Sequence, residues 1–349
     1  MNGAEGLETF VSALPQGDVL VAGAAAASAA AIARHGVRTV FIDPAARVEG
    51  EPRAPLPGVI RRPLGAATLP YPPGIFAGCW LAAGSPVAPA EARRLLHAGG
   101  VLALADASPE GLAGPDAGTG AGGDADCVFC PELRFWFNHT AELPGAAGVL
   151  WGDEDVFVIC DLAPLADGHL LIVTTGHHTC SGACPERLWP ALAAARERVA
   201  GLYQQVYGCG LLVFEHGPAT PHAAGACIDH AHLHCLPARV RIRPVVETAG
   251  LRGERAGPEQ LRALHAQGVS YLYVEEDGAG WAYRAERLRG QFLRWAATEA
   301  LHAAHPGSPG HRAAPPAGWR WQEAFGTPES RRRYLETLER LLASVDSHQ

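Results

Sequence analysis

Residues 111–126 read GLAGPDAGTGAGGDAD, and Leu112 is their only apolar side chain of any bulk. A stretch with so little to bury cannot join a core, so it separates what folds before it from what folds after. Cut there, a chain of 349 residues gives two domains of ordinary size and an extension. The first domain, 15–110, alternates buried strands with helix formers. An apolar run over 18–22 ends at Gly23, an Ala-rich helix covers 24–35, and a second run over 38–42 ends at Asp43. Apolar residues 74–83, a helix over 89–97 and a strand over 101–105 follow. That alternation predicts an open parallel α/β sheet. Beyond the 111–126 linker, residues 127–240 mix strands (155–161, 169–174, 211–215, 229–236) with one helix (186–207), an α+β pattern with an antiparallel sheet. The remainder, 241–349, adds a strand pair (269–275, 281–285) and helices over 286–304 and 329–344. This C-terminal extension is expected to be α/β and to pack on the second domain, with Trp319, Trp321 and Phe325 pinning its last helix.

Composition removes several kinds of chemistry. All 28 basic residues are Arg, so Schiff-base catalysis, pyridoxal-phosphate anchoring and a P-loop lysine are excluded. A net charge of −8 argues against a protein built to coat nucleic acid. The apolar run over 19–32 is too short and too closely followed by Arg34 and His35 to span a membrane. The opening MNGAEGLETF lacks the basic region of a secretory leader. Nine Cys without such a leader suggest a reducing cytoplasm, where close Cys pairs hold metal more often than they form disulfides.

Two motifs carry chemistry. In Asp229-His-Ala-His-Leu-His-Cys-Leu-Pro237 a strand would place His230, His232 and His234 on one face, with Ala231, Leu233 and Cys235 on the other. An exposed His-rich edge strand is the bland alternative, but three aligned imidazoles are a poor choice for ordinary packing, since buried ring nitrogens need partners. The second motif is Cys127-Val-Phe-Cys130, directly after the linker. It could be redox-active or hold structural zinc; no lysine stands nearby to favour the redox reading. His177 and His230 would complete a tetrahedral Cys2His2 set if they join it. Cys180-x-x-x-Cys184 with His178 is a weaker candidate for a second metal.

Taken together, Cys127-x-x-Cys130, Asp161-Leu-x-Pro164, Gly168-His169-Leu-Leu-Ile-Val, His177, Phe214-Glu215-x-Gly217 and His230-Ala-His-Leu-His234 resemble the histidine-triad superfamily of nucleotide hydrolases and transferases over about 127–240. The resemblance implies a nucleotide phosphate substrate and a covalent nucleotidyl-histidine intermediate. His232 would be the nucleophile and His234 the stabiliser of the phosphate. A structural zinc would sit on Cys127, Cys130, His177 and His230. Asp161 would accept from ribose hydroxyls, and Phe129 and Leu162 would sandwich the base. Phosphate contacts would come from Gly225 and from two substitutions of the family pattern, Glu215-His216 in place of an Asn and Cys227 in place of a small hydroxyl residue. The third His favours hydrolysis; nucleotidyl transfer to a sugar phosphate or other acceptor is the alternative, and a non-catalytic nucleotide-binding or interaction module is another. A homodimer is compatible with the resemblance.

The first domain is similar, more faintly, to the Rossmann-like core of S-adenosylmethionine-dependent methyltransferases, on Val19-Leu-Val-Ala-Gly23, Asp43, Leu69-Pro-Tyr-Pro and residues 92–104. Gly23-Ala-Ala-Ala lacks the later glycines of a cofactor loop, and Ala77 replaces an acidic residue. A degenerate scaffold that does not bind S-adenosylmethionine is therefore expected.

Overall fold

A computed structural model describes residues 3–15, 17–23, 26–35, 37, 39–43, 59–63, 69, 71, 73–82, 84–104, 127–130, 148–285, 287–304 and 318–345. The linker expected over 111–126 lies outside the described residues. Contacts divide the chain into Met1–Glu154 with Val345–Gln349, and Asp155–Ser344. Among the described residues no helix is long and apolar enough to cross a membrane.

The N-terminal sheet is fully parallel. Its strands are β1 (Val19–Ala22), β2 (Thr39–Asp43), β3 (Val59–Pro63), β4 (Phe76–Leu81) and β5 (Leu96–Leu104), in the order β3-β2-β1-β4-β5. That order reverses between β1 and β4, as in doubly wound sheets. Helices α1 (Gly3–Ala13), α2 (Ala26–Arg34) and α3 (Pro89–Leu95) accompany it. Both β1 and β4 are buried along their whole length, which explains their unbroken apolar runs. Phe10 of α1, Ile32 of α2 and Trp80 of β4 meet in one core cluster with Val19 and Val21. The last strand starts at Leu96 rather than near 101, because Leu96 is already extended and pairs with Phe76 ahead of a register irregularity.

The larger sheet has the order β11-β13-β12-β9-β10-β8-β7-β6. Its strands are β6 (Val149–Gly152), β7 (Val156–Cys160), β8 (Leu170–Thr174), β9 (Leu211–Gly217), β10 (His232–Pro237), β11 (Gly253–Arg255), β12 (Tyr271–Glu276) and β13 (Ala279–Arg284). Pairing from β7 through β11 is antiparallel. The C-terminal residues therefore do more than pack on a finished domain, since β11, β12 and β13 continue the sheet beyond β9. Helices α4 (Trp189–Tyr207), α5 (Arg243–Thr248), α6 (Pro258–Ala266), α7 (Phe292–Ala304), α8 (Trp321–Ala324) and α9 (Pro328–Val345) accompany this sheet, with single 3-10 turns at Ser181–Ala183, Glu186–Leu188 and Ala223–Gly225.

Register fixes which residues share a face. His234 is opposite Phe214 on β9 and Leu171 on β8, and Phe214 is opposite Val274 on β12. This face packs against α5 and α7 through Val246, Phe292, Leu293 and Ala296. The other face carries Cys235, Glu215 and Tyr273, and α4 lies over it: the Tyr203 hydroxyl sits 2.9 Å from the Cys235 carbonyl. Helix α7 begins at Phe292 rather than at 286. Gln291 holds a left-handed φ of 60° while its N–H donates to the Gly225 carbonyl at 2.7 Å, so the helix cannot extend back through it.

At the end of β1 a Cβ on Gly23 would meet the Ala82 Cβ at 2.9 Å, and Ser85 lies close behind. Ala82 and Ser85 thus crowd the Gly23 backbone, where the expected cofactor loop would need open space. Calorimetry with S-adenosylmethionine is expected to show no saturable binding at micromolar concentration. A saturable heat there would restore the methyltransferase reading.

Candidate active site

Strand β10 lies between β8 and β9, so its side chains are enclosed on both sides. His232 and His234 occupy alternate positions on the face covered by α7, and His230 precedes them in the same alternation. His232 is the most exposed of the three at 9%, against 5% for His234 and 1% for His230. Phe214 stacks on His234 with centroids 4.6 Å apart and planes 11° apart. Burial lowers the pKa of His232 and of His169 to about 4, and that of His234 well below the usual imidazole range. These rings are therefore neutral at neutral pH, and each has one N–H and one lone pair.

Hydrogen-bond partners assign the tautomers. The His230 carbonyl lies 2.5 Å from His232 Nδ1 and can only accept, so the proton is on Nδ1 and the lone pair on Nε2. The Leu165 N–H donates to His169 Nδ1 at 3.1 Å, which puts the His169 proton on Nε2. That N–H points at His234 Nδ1, 3.0 Å away, and leaves the His234 proton on Nε2. Two histidines with centroids 5.0 Å apart thus hold opposite tautomers. His232 carries a lone pair at Nε2 where His234 carries an N–H.

Asp161 closes the cluster. Its Oδ1 accepts from the Ala163 N–H at 2.7 Å; its Oδ2 lies 3.0 Å from Arg294, 3.5 Å from His169 Nε2 and 3.7 Å from His234 Nδ1. Burial alone would raise this carboxyl, but His169, Arg294 and the Ala163 N–H together hold it below the ordinary value. Asp161, His169 and His234 converge within 4.8 Å as a metal set would. A cation there would face the guanidinium 3.0 Å from the same carboxylate, so the cluster is a hydrogen-bonded one. Arg294 escaped the sequence reading entirely, and His169 was noted there only as part of a motif.

Cys127, Cys130, His177 and His230 each bring a ligand atom to within 4.8 Å of the others. The two thiols flank a single turn closed by the Cys130 N–H to the Cys127 carbonyl at 3.1 Å. His230 Nε2 donates to the Thr174 carbonyl at 2.8 Å, which turns the lone pair to Nδ1. A backbone carbonyl accepting from one imidazole nitrogen is how metal-ligating histidines are oriented, so the donor set is compatible with zinc. Cys180 and Cys184 are buried, and burial pushes their thiols up, Cys180 to about 12.

The remaining sequence candidates are mostly engaged by the protein. The Glu215 carboxylate accepts from the Ser181 N–H (2.7 Å), the Ser181 hydroxyl (2.9 Å) and the Tyr271 hydroxyl (3.2 Å), on the face away from the histidines. His216 Nε2 accepts from the Leu293 N–H at 3.1 Å, satisfying an open donor in the first turn of α7. Gly225 is approached by the Arg289 carbonyl, which a Cβ there would meet at 2.5 Å. Cys227 is half-buried, with its thiol raised by burial. Phe129 and Leu162 are both buried at 3%.

No protein-family model matches the chain, and no curated protein matches it. Solved structures that resemble it include a Hit-like protein and a histidine triad family protein. A Hit-like protein involved in cell-cycle regulation from Bartonella henselae is 17% identical, over 42% of this chain and 95% of its own, with a TM-score of 0.27. A zinc-bound histidine triad family protein from Mycobacterium smegmatis is 24% identical, over 42% and 96%, with a TM-score of 0.26. The diadenosine triphosphate hydrolase of Plasmodium falciparum is 13% identical, over 35% and 74%, with a TM-score of 0.25.

Glu215 generates a pH prediction. Burial pushes its carboxyl from 4.5 up to about 7, against the pull of its three donors. The folded protein therefore binds this proton more tightly than the unfolded chain. The resulting stabilisation is complete below the unfolded value and is lost as pH rises through about 7. Between pH 5 and pH 8, Glu215→Gln should gain on the wild type by roughly 3 kcal/mol at most, counting about 1.4 kcal/mol per pKa unit. Urea unfolding of both proteins at the two pH values measures it, and parallel pH dependences would refute it.

Proposed function

We propose that the chain is a nucleotide phosphate hydrolase that works through a covalent nucleotidyl-histidine on His232. The observation that supports this most is the pair of opposite tautomers on β10. The His232 Nε2 lone pair attacks the α-phosphorus; a P–Nε2 bond forms, the bond to the leaving group breaks, and that group departs with the electron pair. The positive charge acquired by the ring sits against the His230 carbonyl, 2.5 Å from Nδ1. The His234 Nε2–H donates to phosphate oxygens as their charge builds. Water then attacks phosphorus and loses a proton to solvent, the P–N bond breaks, its electrons return to His232 and the nucleoside monophosphate is released.

Cys127, Cys130, His177 and His230 would hold zinc. With four protein ligands the metal supplies no reactive position; it anchors the start of the strand that carries His232. Elemental analysis of protein prepared without chelators should find about one zinc per chain, as a closed four-ligand site requires. Metal-free, folded protein would overturn the assignment. His230→Ala should lose the metal and lower the melting temperature.

Mass spectrometry after incubation with dinucleoside polyphosphates, nucleoside phosphoramidates and nucleotide sugars tests the chemistry. A mass increment equal to one nucleotidyl group is expected, absent from His232→Ala, whose zinc content and fold should be unchanged. His234→Ala should retain the nucleophile and slow turnover by roughly a hundred- to thousand-fold, the cost of removing one donor to a developing oxyanion. Normal turnover by His232→Ala would overturn the mechanism.

A further inference from the structure

Arg294 stands on α7, 133 residues beyond Asp161, and is 2% exposed. Each of its three nitrogens is committed to a different acceptor. Nε donates to the Trp319 carbonyl at 2.9 Å, one terminal nitrogen to Asp161 Oδ2 at 3.0 Å and the other to the Ala163 carbonyl at 2.5 Å. The same Oδ2 stands beside both nitrogens of the His169–His234 hydrogen bond, at 3.5 and 3.7 Å. Two arrangements compete at that spot. In the observed one, His169 donates to His234 Nδ1. In the other, His234 carries its one proton on Nδ1, and Asp161 turns so that Oδ2 accepts a hydrogen bond from it as well as from the His169 Nε2–H; His234 Nε2 then presents a lone pair to anything in front of it.

We propose that Arg294 is a positioning residue that decides between these arrangements. With its other two nitrogens anchored on the Trp319 and Ala163 carbonyls, it holds Oδ2 on the third and keeps Asp161 from claiming the His234 Nδ1 position. His234 is thereby locked as an Nε2–H donor, the form that attracts a phosphate oxygen. The proposal rests on the reading of His234 as a phosphate donor, and it makes the C-terminal extension part of the site. An unlocked His234 would spend part of its time as an acceptor facing phosphate oxygens, which repel it.

The test is the protonation pattern of the imidazoles in the full-length, zinc-loaded protein labelled with [15N]histidine, read by long-range 1H–15N correlation. His169→Gln and His234→Gln identify the two signals. In the wild type both rings should show a protonated Nε2 and an unprotonated Nδ1. In Arg294→Ala, His234 should shift to a mixture with the Nδ1–H form, and added guanidinium ion should restore the wild-type pattern where methylammonium at equal ionic strength does not. Arg294→Lys keeps the charge without the fork and should shift His234 in the same direction; it carries the test if the Ala variant fails to fold. A wild-type His234 protonated at Nδ1, or a pattern unchanged in the Arg294 variants, would overturn the proposal. The spectra need no substrate and the adduct experiment needs no Arg294 variant, so failure of the lock and failure of the hydrolase reading are told apart.

Discussion

Around the triad's sheet, the imidazoles of His169, His216, His230, His232 and His234 are all buried to 9% exposure or less. Their burial imposes the constraint on which the rest of the site depends. A buried ring nitrogen left without a partner costs on the order of 1–3 kcal/mol, so each ring must be supplied with a donor or acceptor of the right kind. The backbone supplies most of them. Leu165 and Leu293 give N–H groups to His169 and His216, while Thr174 and His230 give carbonyls to His230 and His232. Because each backbone partner can play only one role, each choice also fixes where the ring's single proton resides. The same hydrogen bonds that satisfy the buried rings give His232 and His234 opposite tautomers.

The strand carrying the triad was legible because strand periodicity is short and local. Alternation within 229–237 is enough to place His230, His232 and His234 on one face, and the Cys127–Cys130 spacing is enough to suggest a metal turn. The apolar stretches 19–22 and 40–42 were readable for a similar reason, since a parallel strand buried on both faces has no polar interruption. What failed to show was anything set by tertiary contact. Glu215 sits next to His216 in sequence, yet strand alternation sends it to the opposite face, to Ser181 and Tyr271. No local pattern announces that Gln291 will adopt a left-handed turn and delay α7, or that β12 and β13 will continue the triad's sheet.

Arg294 was invisible for a further reason. Read in sequence it belongs to Gln-Phe-Leu-Arg-Trp-Ala-Ala, an amphipathic helix where a lone arginine is expected to face solvent. Its burial makes sense only with the carboxylate supplied from 133 residues away. Removing one member of such a pair strands the other in a low-dielectric interior, typically at a cost of roughly 3–5 kcal/mol. The two segments are therefore bound to each other's presence, and α7 is tied to the histidines by charge as well as by apolar packing.

A chain without lysine has only guanidinium to offer as a permanent buried cation, and here the difference between the two groups matters. An ammonium is a point charge with three rotatable donors, and it could approach Asp161 from several directions with the carboxylate free to turn. A guanidinium is planar, with donors at fixed angles. Once Nε is committed to Trp319 and one terminal nitrogen to Ala163, the direction of the remaining nitrogen toward Asp161 is determined. The carboxylate is also held from its other side by the Ala163 N–H on Oδ1. With both oxygens held, its orientation toward His169 and His234 is set by backbone positions at 163 and 319. Rigidity at the imidazoles is thus inherited from peptide groups rather than from the side chains that touch them.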